Sequence, residues 1–410
     1  MLKLKEQLGE TVNALGGVFL INALVTVVGL ATNVAVARLF GKEAFGVFAY
    51  FFSLVSFISL FSQFGFQHSV PVSIIRDKKG SKEIVKYALK LVSFFSVAFF
   101  LLSFFIIKLL KLNPDVQFFN MIVLLSVLSL SIFAILFSTL RGFKLFFESS
   151  LYSLYNRLIL LLFVVVVAFF TKEIIFVLIS FSLATILVVP FLIKRLKGLL
   201  LVDENFNRKA FFLVSFVFFL STISINAYFF LDQLLVKYLF GFEKLAEYSA
   251  YSTLPGALKL ISVVFPLVLV PLANEKKYNI FNALKKMFLV FSLPMILIIA
   301  MNGFFVQIFF GSGYYLPLVV TILLTIISFL LAAYIFLNSI FLGENTYDPF
   351  LFKVISLDVI LSIILLIGGG LVAARAFGLV GILLVIIFSL IVKSVLNLYG
   401  IAKLRKENIF

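Results

Sequence analysis

The chain contains no cysteine, no tryptophan and a single histidine, His68. Disulfides and thiolate metal sites are therefore excluded, and one imidazole cannot build a multi-histidine metal centre. Charged residues are scarce, at 13%. No Gly-rich lysine loop of the Walker type occurs, so the chain carries no ATPase of its own, and no cofactor is expected.

What is abundant is apolar. Hydrophobic residues make up 63% of the 410, 55 of them phenylalanine, and the mean hydropathy is +1.22. A soluble domain is about 45–50% apolar, so this composition reads as a polytopic membrane protein. The start, MLKLKEQLGE, has the positive character of a signal peptide. The apolar stretch behind it, from Asn13 to Val36, is too long for a signal core, and no small-residue cleavage site follows. It is expected to be a retained first span.

A span needs about 20 apolar residues. Helices are expected near 13–36, 43–65, 84–108, 117–140, 151–171, 174–195, 210–231, 244–271, 284–308, 316–341, 350–372 and 377–400, separated by charged or turn-forming clusters such as IRDKKGSKE and VDENFNRK. With the N-terminus inside, only Arg38, Lys42, Lys108, Lys111, Lys172, Lys237, Lys244 and Arg375 fall on the outer side. Lys259 lies in mid-span, and the rest of the 34 basic residues, Lys393 among them, fall inside. This asymmetry places both termini in the cytoplasm. It also reads the net charge of +16 as orientation and contact with anionic membrane lipids, not as a nucleic-acid surface.

Residues 31–54 and 231–254 look like two copies of one segment. Val36, Leu39, Phe40, Gly41, Glu43 and Leu54 recur 200 positions later, and the register continues through Pro71 and Pro271, Lys86 and Lys286, and Phe104-Phe105 and Phe304-Phe305. Six spans per half make such a repeat parallel, related by an axis along the membrane normal. The expected architecture is all-α, with twelve transmembrane helices in two six-helix bundles, residues 1–200 and 201–410.

Polar residues follow the repeat. Asn22, Thr26, Gly29 and Asn33 share one face of the first helix; Thr222, Asn226 and Gln233 take the matching positions on the seventh. The second helix presents Ser56, Ser59, Gln63 and Gln67, and the eighth presents Tyr248, Ser252, Pro255, Lys259 and Ser262. Such residues can simply bond helix to helix. Their recurrence in both halves favours a water-filled central cavity. Lys259 lies about 18 Å by helix rise from Pro271, near the midplane, where a lysine facing lipid costs at least about 2.5–3.5 kcal/mol. It is expected to face water, an anionic substrate or Asp232. Arg157 and Asp358 lie one to two turns inside their spans and read as packing or snorkelling residues. Pro255, Pro266, Pro271 and Pro294 interrupt helices eight and nine and could serve as hinges. Helices one to six carry no acid at depth, and no outer loop is large enough to present the chemistry of a membrane glycosyltransferase.

The run GGVFLINALVTVVGLATNVAVARLFGKEAFGVFAYFFSLVSFISLFSQFGFQHS resembles the polysaccharide flippases, also called oligosaccharide or O-antigen flippases, of the multidrug/oligosaccharidyl-lipid/polysaccharide exporter superfamily. Arg38 and Gly41 through Gly46 carry the likeness most clearly, with Phe61–Phe66 and Asp232-Gln233. The resemblance implies a V-shaped pair of bundles and a central cationic cavity between helices one, two, seven and eight. It also implies movement of lipid-linked sugars to the outer face, and it carries over Arg38. The expected function is thus translocation of polyprenyl-phosphate- or polyprenyl-pyrophosphate-linked glycan across the cell membrane by alternating access, in concert with glycan-assembly enzymes, without catalysis by the chain itself. Lys259 and Arg38 would attract the phosphate, and Asn22, Thr26, Asn33, Gln63, Thr222, Asn226, Gln233, Tyr248 and Ser252 would offer hydrogen bonds to sugar hydroxyls. The alternatives are a multidrug exporter of the same superfamily and a membrane glycan polymerase or ligase.

Overall fold

The computed structural model describes residues 2–76, 78–109, 114, 116–202, 206–262, 280–344 and 349–407. Helix accounts for all regular structure among them. A backbone in hydrocarbon must satisfy its own hydrogen bonds, and the long Leu-, Val- and Phe-rich runs do so within each segment. The helices are α1 (Leu2–Phe40), α2 (Lys42–Gln63), α3 (Phe66–Arg76), α4 (Ser81–Leu109), α5 (Phe119–Gly142), α6 (Phe146–Phe170), α7 (Ile174–Lys197), α8 (Arg208–Ser262), α9 (Ile280–Phe309), α10 (Leu318–Glu344), α11 (Pro349–Ile363) and α12 (Gly370–Glu407). A short π-helical segment, Ile364–Gly369, joins α11 to α12.

Ten stretches among the described residues are long and apolar enough to cross a membrane. The sequence reading expects twelve; α11 and α12 run together into one such stretch, Lys353–Leu404, and part of the expected eighth span lies outside the described residues. Large apolar side chains cover the outside of the helices, with Phe169 and Phe170 each 82% exposed. In water that surface would aggregate; in a bilayer it is the solvated one.

The chain divides into two compact units, Met1–Thr222 and Ile223–Phe410. In the first, α5 packs on α3, α4 and α7, and α1 packs along α6. In the second, α10 packs along α12 and on α9. The division falls inside α8, whose first turns belong to unit one. The reason lies at Phe64-Gly65, which separates α2 from α3 with φ of 43° and 74°. Here the backbone comes so close to α8 that a Cβ on Gly65 would sit 2.1 Å from the Ser215 carbonyl oxygen. Phe64 stacks on Phe219 at 4.5 Å and on Phe212 at 5.1 Å, and Ser69 and Ser215 share a hydrogen bond of 2.6 Å between hydroxyls. Sequence reading runs the second helix on to residue 65 and does not foresee α3.

Two glycines 200 positions apart share one backbone conformation. Gly41 takes φ 93°, ψ 172°, and Gly241 takes φ 82°, ψ −177°. This region is open essentially only to glycine. Each glycine therefore makes the same corner, ending one helical segment and starting the next. In unit two the corner is sharp. Asp232 and Tyr248, on opposite sides of Gly241, touch through their side chains at 2.6 Å. On a straight helix sixteen residues would hold them about 24 Å apart.

Candidate functional site

On α1 the polar face exists, and it is half-buried in a helix whose other side is exposed. Asn22 donates from Nδ2 to the Val18 carbonyl at 2.8 Å and lies 3.5 Å from Ser150 Oγ on α6. Thr26 donates to the Asn22 carbonyl at 3.0 Å. Back-bonding of this kind uses the hydroxyl proton and leaves the oxygen able to accept. Asn33 is half-buried, and Arg38 is exposed at the end of α1. Gln63, in the last turn of α2, is buried, as is Thr222.

In unit two, Asn226 and Gln233 are half-buried on α8. Tyr248 is fully enclosed, and its hydroxyl donates to Asp232 Oδ2. The Gln233 backbone N–H donates to Asp232 Oδ1 at 2.6 Å. The expected sugar-binding tyrosine thus latches the Gly241 corner. One more contact crosses the corner: Lys237 Nζ lies 5.0 Å from the centre of the Phe242 ring. Just beyond it, Lys244 pairs with Glu247 at 2.7 Å within the following segment. Ser252 donates to the Ser249 carbonyl at 3.0 Å. Lys259 belongs to the α8 backbone, but its side chain falls outside the described residues, as do Pro266 and Pro271. Arg157 packs its guanidinium over Phe52, 5.6 Å from the ring centre. His68 is exposed, with its ring 5.8 Å from Phe218. The latch carries a measurable consequence. Tyr248→Phe removes the donor and leaves a buried carboxylate short of a partner, so it should lower stability by about 1.5–3 kcal/mol. Thermal unfolding in detergent reads this, and an unchanged midpoint would show that the latch contributes nothing.

The strongest polar cluster was not singled out from sequence. Asp358 on α11 and Lys393 on α12 are both buried, and Lys393 is wholly inaccessible. Lys393 therefore does not sit at the cytoplasmic surface, where charge counting puts it, and Asp358 does not snorkel. Their charged atoms lie 3.6 Å apart. Lys393 Nζ also donates to the Ser224 carbonyl at 2.6 Å and lies 4.3 Å from the centre of the Tyr334 ring. Asp358 Oδ2 accepts from the Tyr334 hydroxyl at 2.6 Å and from the Ser224 hydroxyl. Three helices and the second part of α8 thus converge on one ion pair. The sequence signal was a lone acid and a lone base in adjacent apolar spans.

Among the described residues, two apolar grooves mark the helix surfaces. One, of about 390 Å³, lies between α6 and α7 and is lined by Tyr152, Tyr155, Leu158, Ile159, Val188 and Phe191. The other, of about 290 Å³, is lined chiefly by Leu254 and by α9 from Leu297 to Phe309. Both suit hydrocarbon better than sugar.

Residues 15–275 match the family described as polysaccharide biosynthesis protein. No curated protein matches the chain. Among solved structures, the lipid II flippase MurJ in an inward closed conformation aligns with a TM-score of 0.69 at 18% identity, covering 93% of this chain and 87% of that one. An inward-facing multidrug resistance MATE family transporter of the MOP superfamily aligns at 0.67 and 14% identity, covering 93% and 95%. A MOP superfamily transporter from Pyrococcus furiosus aligns at 0.66 and 14%, covering 95% and 94%. At these identities the likeness is one of fold: the chain has the fold of MOP-superfamily transporters.

Proposed function

We infer, because the chain belongs to the polysaccharide biosynthesis protein family, that it is a flippase for polyprenyl-linked oligosaccharides. Its two halves act as parallel six-helix repeats that open alternately to the cytoplasm and to the outer face of the cell membrane. Both termini lie in the cytoplasm. The observation that supports this reading best is the polar face of α1, set in an apolar helix and recurring 200 residues on. Asn22, Thr26, Asn33, Gln63, Thr222, Asn226, Gln233 and Ser252 offer weak, exchangeable hydrogen bonds that suit a cargo which must also leave. Arg38 and Lys259 attract the phosphate or pyrophosphate, and the chain itself makes and breaks no covalent bond. The lipid tail stays in the bilayer, where apolar grooves on the helices can take hydrocarbon. Glycan-assembly enzymes are the natural partners on either side of the step.

Reconstitution in liposomes with a defined polyprenyl-pyrophosphate-linked oligosaccharide tests the reading. The sugar should become accessible to an external lectin only when the protein is present. Equal exposure in protein-free vesicles, or movement of cationic drugs instead, would overturn it. Within this assay Lys259→Ala should reduce flipping about tenfold and leave folding intact, while Lys259→Arg keeps part of the rate, because charge matters before geometry in holding a phosphate. Normal flipping by Lys259→Ala would remove the phosphate role. If Lys259 instead pairs with Asp232, the single variant would be destabilised and adding Asp232→Asn would restore it.

A further inference from the structure

The second part of α8 is built to bend near residue 255. A proline inside a helix has no N–H to give, so Pro255 leaves the Tyr251 carbonyl, four residues earlier, without its helical donor. The turn before it is loosened as well. Ser252 and Thr253 both donate their hydroxyls to the Ser249 carbonyl, at 3.0 and 2.9 Å, and back-bonding of this kind bends helices. Gly256 follows the proline, with open space where a Cβ would stand. The recognised causes of a kink are thus gathered between Ser249 and Gly256.

The missing bond comes from another helix. Tyr251 is buried, and a buried carbonyl without a donor is costly. Asn302 of α9, wholly inaccessible, donates from Nδ2 to the Tyr251 oxygen at 3.0 Å. The same nitrogen lies 3.4 Å from Thr321 Oγ1 on α10. Among the described residues, Asn302 Oδ1 is buried and has no hydrogen-bond partner. The amide is therefore held by its donor end alone, and Thr321 gives it a second place to rest if Tyr251 moves away. Two discrete arrangements are what a releasable contact needs.

We propose that Asn302 is a positioning residue, a releasable brace that fixes the bend of α8 at Pro255. Ser252 stands about one turn before the proline and Lys259 about one turn after it. The bend therefore sets the spacing of these two positions and the angle between their faces. With Tyr251 braced by Asn302, one geometry is held. With Asn302 resting on Thr321 alone, the Tyr251 carbonyl takes its donor from water and the segment beyond Pro255 swings. That Ser252 and Lys259 meet one cargo, the sugar at the first and the phosphate at the second, rests on the flippase reading above; the brace itself does not.

The test is a double-mutant cycle on the whole protein. Pro255→Ala returns an N–H to the helix and supplies the Tyr251 carbonyl from within. Asn302→Leu removes the brace at similar volume. In the chain with Pro255, Asn302→Leu should lower the melting midpoint in detergent by several degrees and quicken hydrogen exchange in residues 249–262 before the rest of unit two. In the Pro255→Ala background the same substitution should lose less than half as much and leave that exchange slow, because the carbonyl no longer needs an outside donor. Should leucine prevent folding, Asn302→Ser, whose hydroxyl is too short to reach, reads the same cycle. In the liposome assay Pro255→Ala should stay folded yet flip about tenfold more slowly, since its α8 has a fixed course. Equal losses in the two backgrounds overturn the brace. Coupling with unslowed flipping by Pro255→Ala overturns the positioning role. Coupling in a protein that flips nothing leaves the brace standing and sinks the flippase reading instead.

Discussion

Lys393→Ala will unfold in detergent well before the unaltered protein, at a cost of about 3–5 kcal/mol. The reason is asymmetric. The pair itself contributes little net stability, because both ions lose their water on burial. Removing one partner leaves Asp358 ionised in an apolar bundle with only hydroxyl donors beside it. Asp358→Asn, Lys393→Met, which deletes both charges and keeps the volumes similar, should recover more than half of the loss. Circular dichroism on heating, run on the single and double variants together, measures both effects. A single variant as stable as wild type would mean that Lys393 is not enclosed.

Gly65→Ala is the second large effect. The backbone there holds φ 74°, which costs an L-residue about 1–2 kcal/mol. The added methyl would also stand 2.1 Å from the Ser215 carbonyl oxygen and 2.5 Å from the Phe219 nitrogen. Both are backbone atoms of α8 and cannot swing aside as a side chain could. Overpacking adds about 1–3 kcal/mol, so the sum is about 2–5 kcal/mol, expressed as loss of folded protein or a lowered melting midpoint. Gly256→Ala is the matched control. It lies inside α8 with open space around its Cβ position, and alanine there should be neutral or stabilising by up to about 1 kcal/mol. Equal behaviour of the two variants would contradict the close approach.

These residues show what could be read in advance. The helices were legible because hydrocarbon solvent leaves a long apolar run no other structure. Gly41 and Gly241 were legible as a repeat, and their shared positive φ is the physical reason for the identity. Tyr248 was legible as a polar group on a face, but not its partner, because Asp232 reaches it only once Gly241 turns the chain back. Lys393 was misread because counting charges by loop assumes that a lysine within about ten residues of a helix end belongs to the interface. Asp358 lies 35 positions earlier in the sequence. Nothing local announces that α11 and α12 bring the two together across a π-helical segment. Helix α3 was hidden because the corner at Phe64-Gly65 interrupts an apolar run without a change in composition.

The packing of α8 on the Phe64-Gly65 corner also sets an order of assembly. Phe66, Val70, Ile74, Ile84 and Val85 form one apolar cluster together with Phe211. The first unit is therefore unfinished when α7 has been made. Its corner keeps an open aromatic face until residues 211–219 leave the ribosome, more than a dozen positions after α7 ends at Lys197. A nascent chain arrested at residue 200 should remain sensitive to protease near Phe64, and one arrested beyond α8 should not. A gene cut at the hydrophilic connection near residue 200 would divide the chain between its halves and yet orphan this face. A cut that leaves Phe219 with the N-terminal fragment keeps it covered.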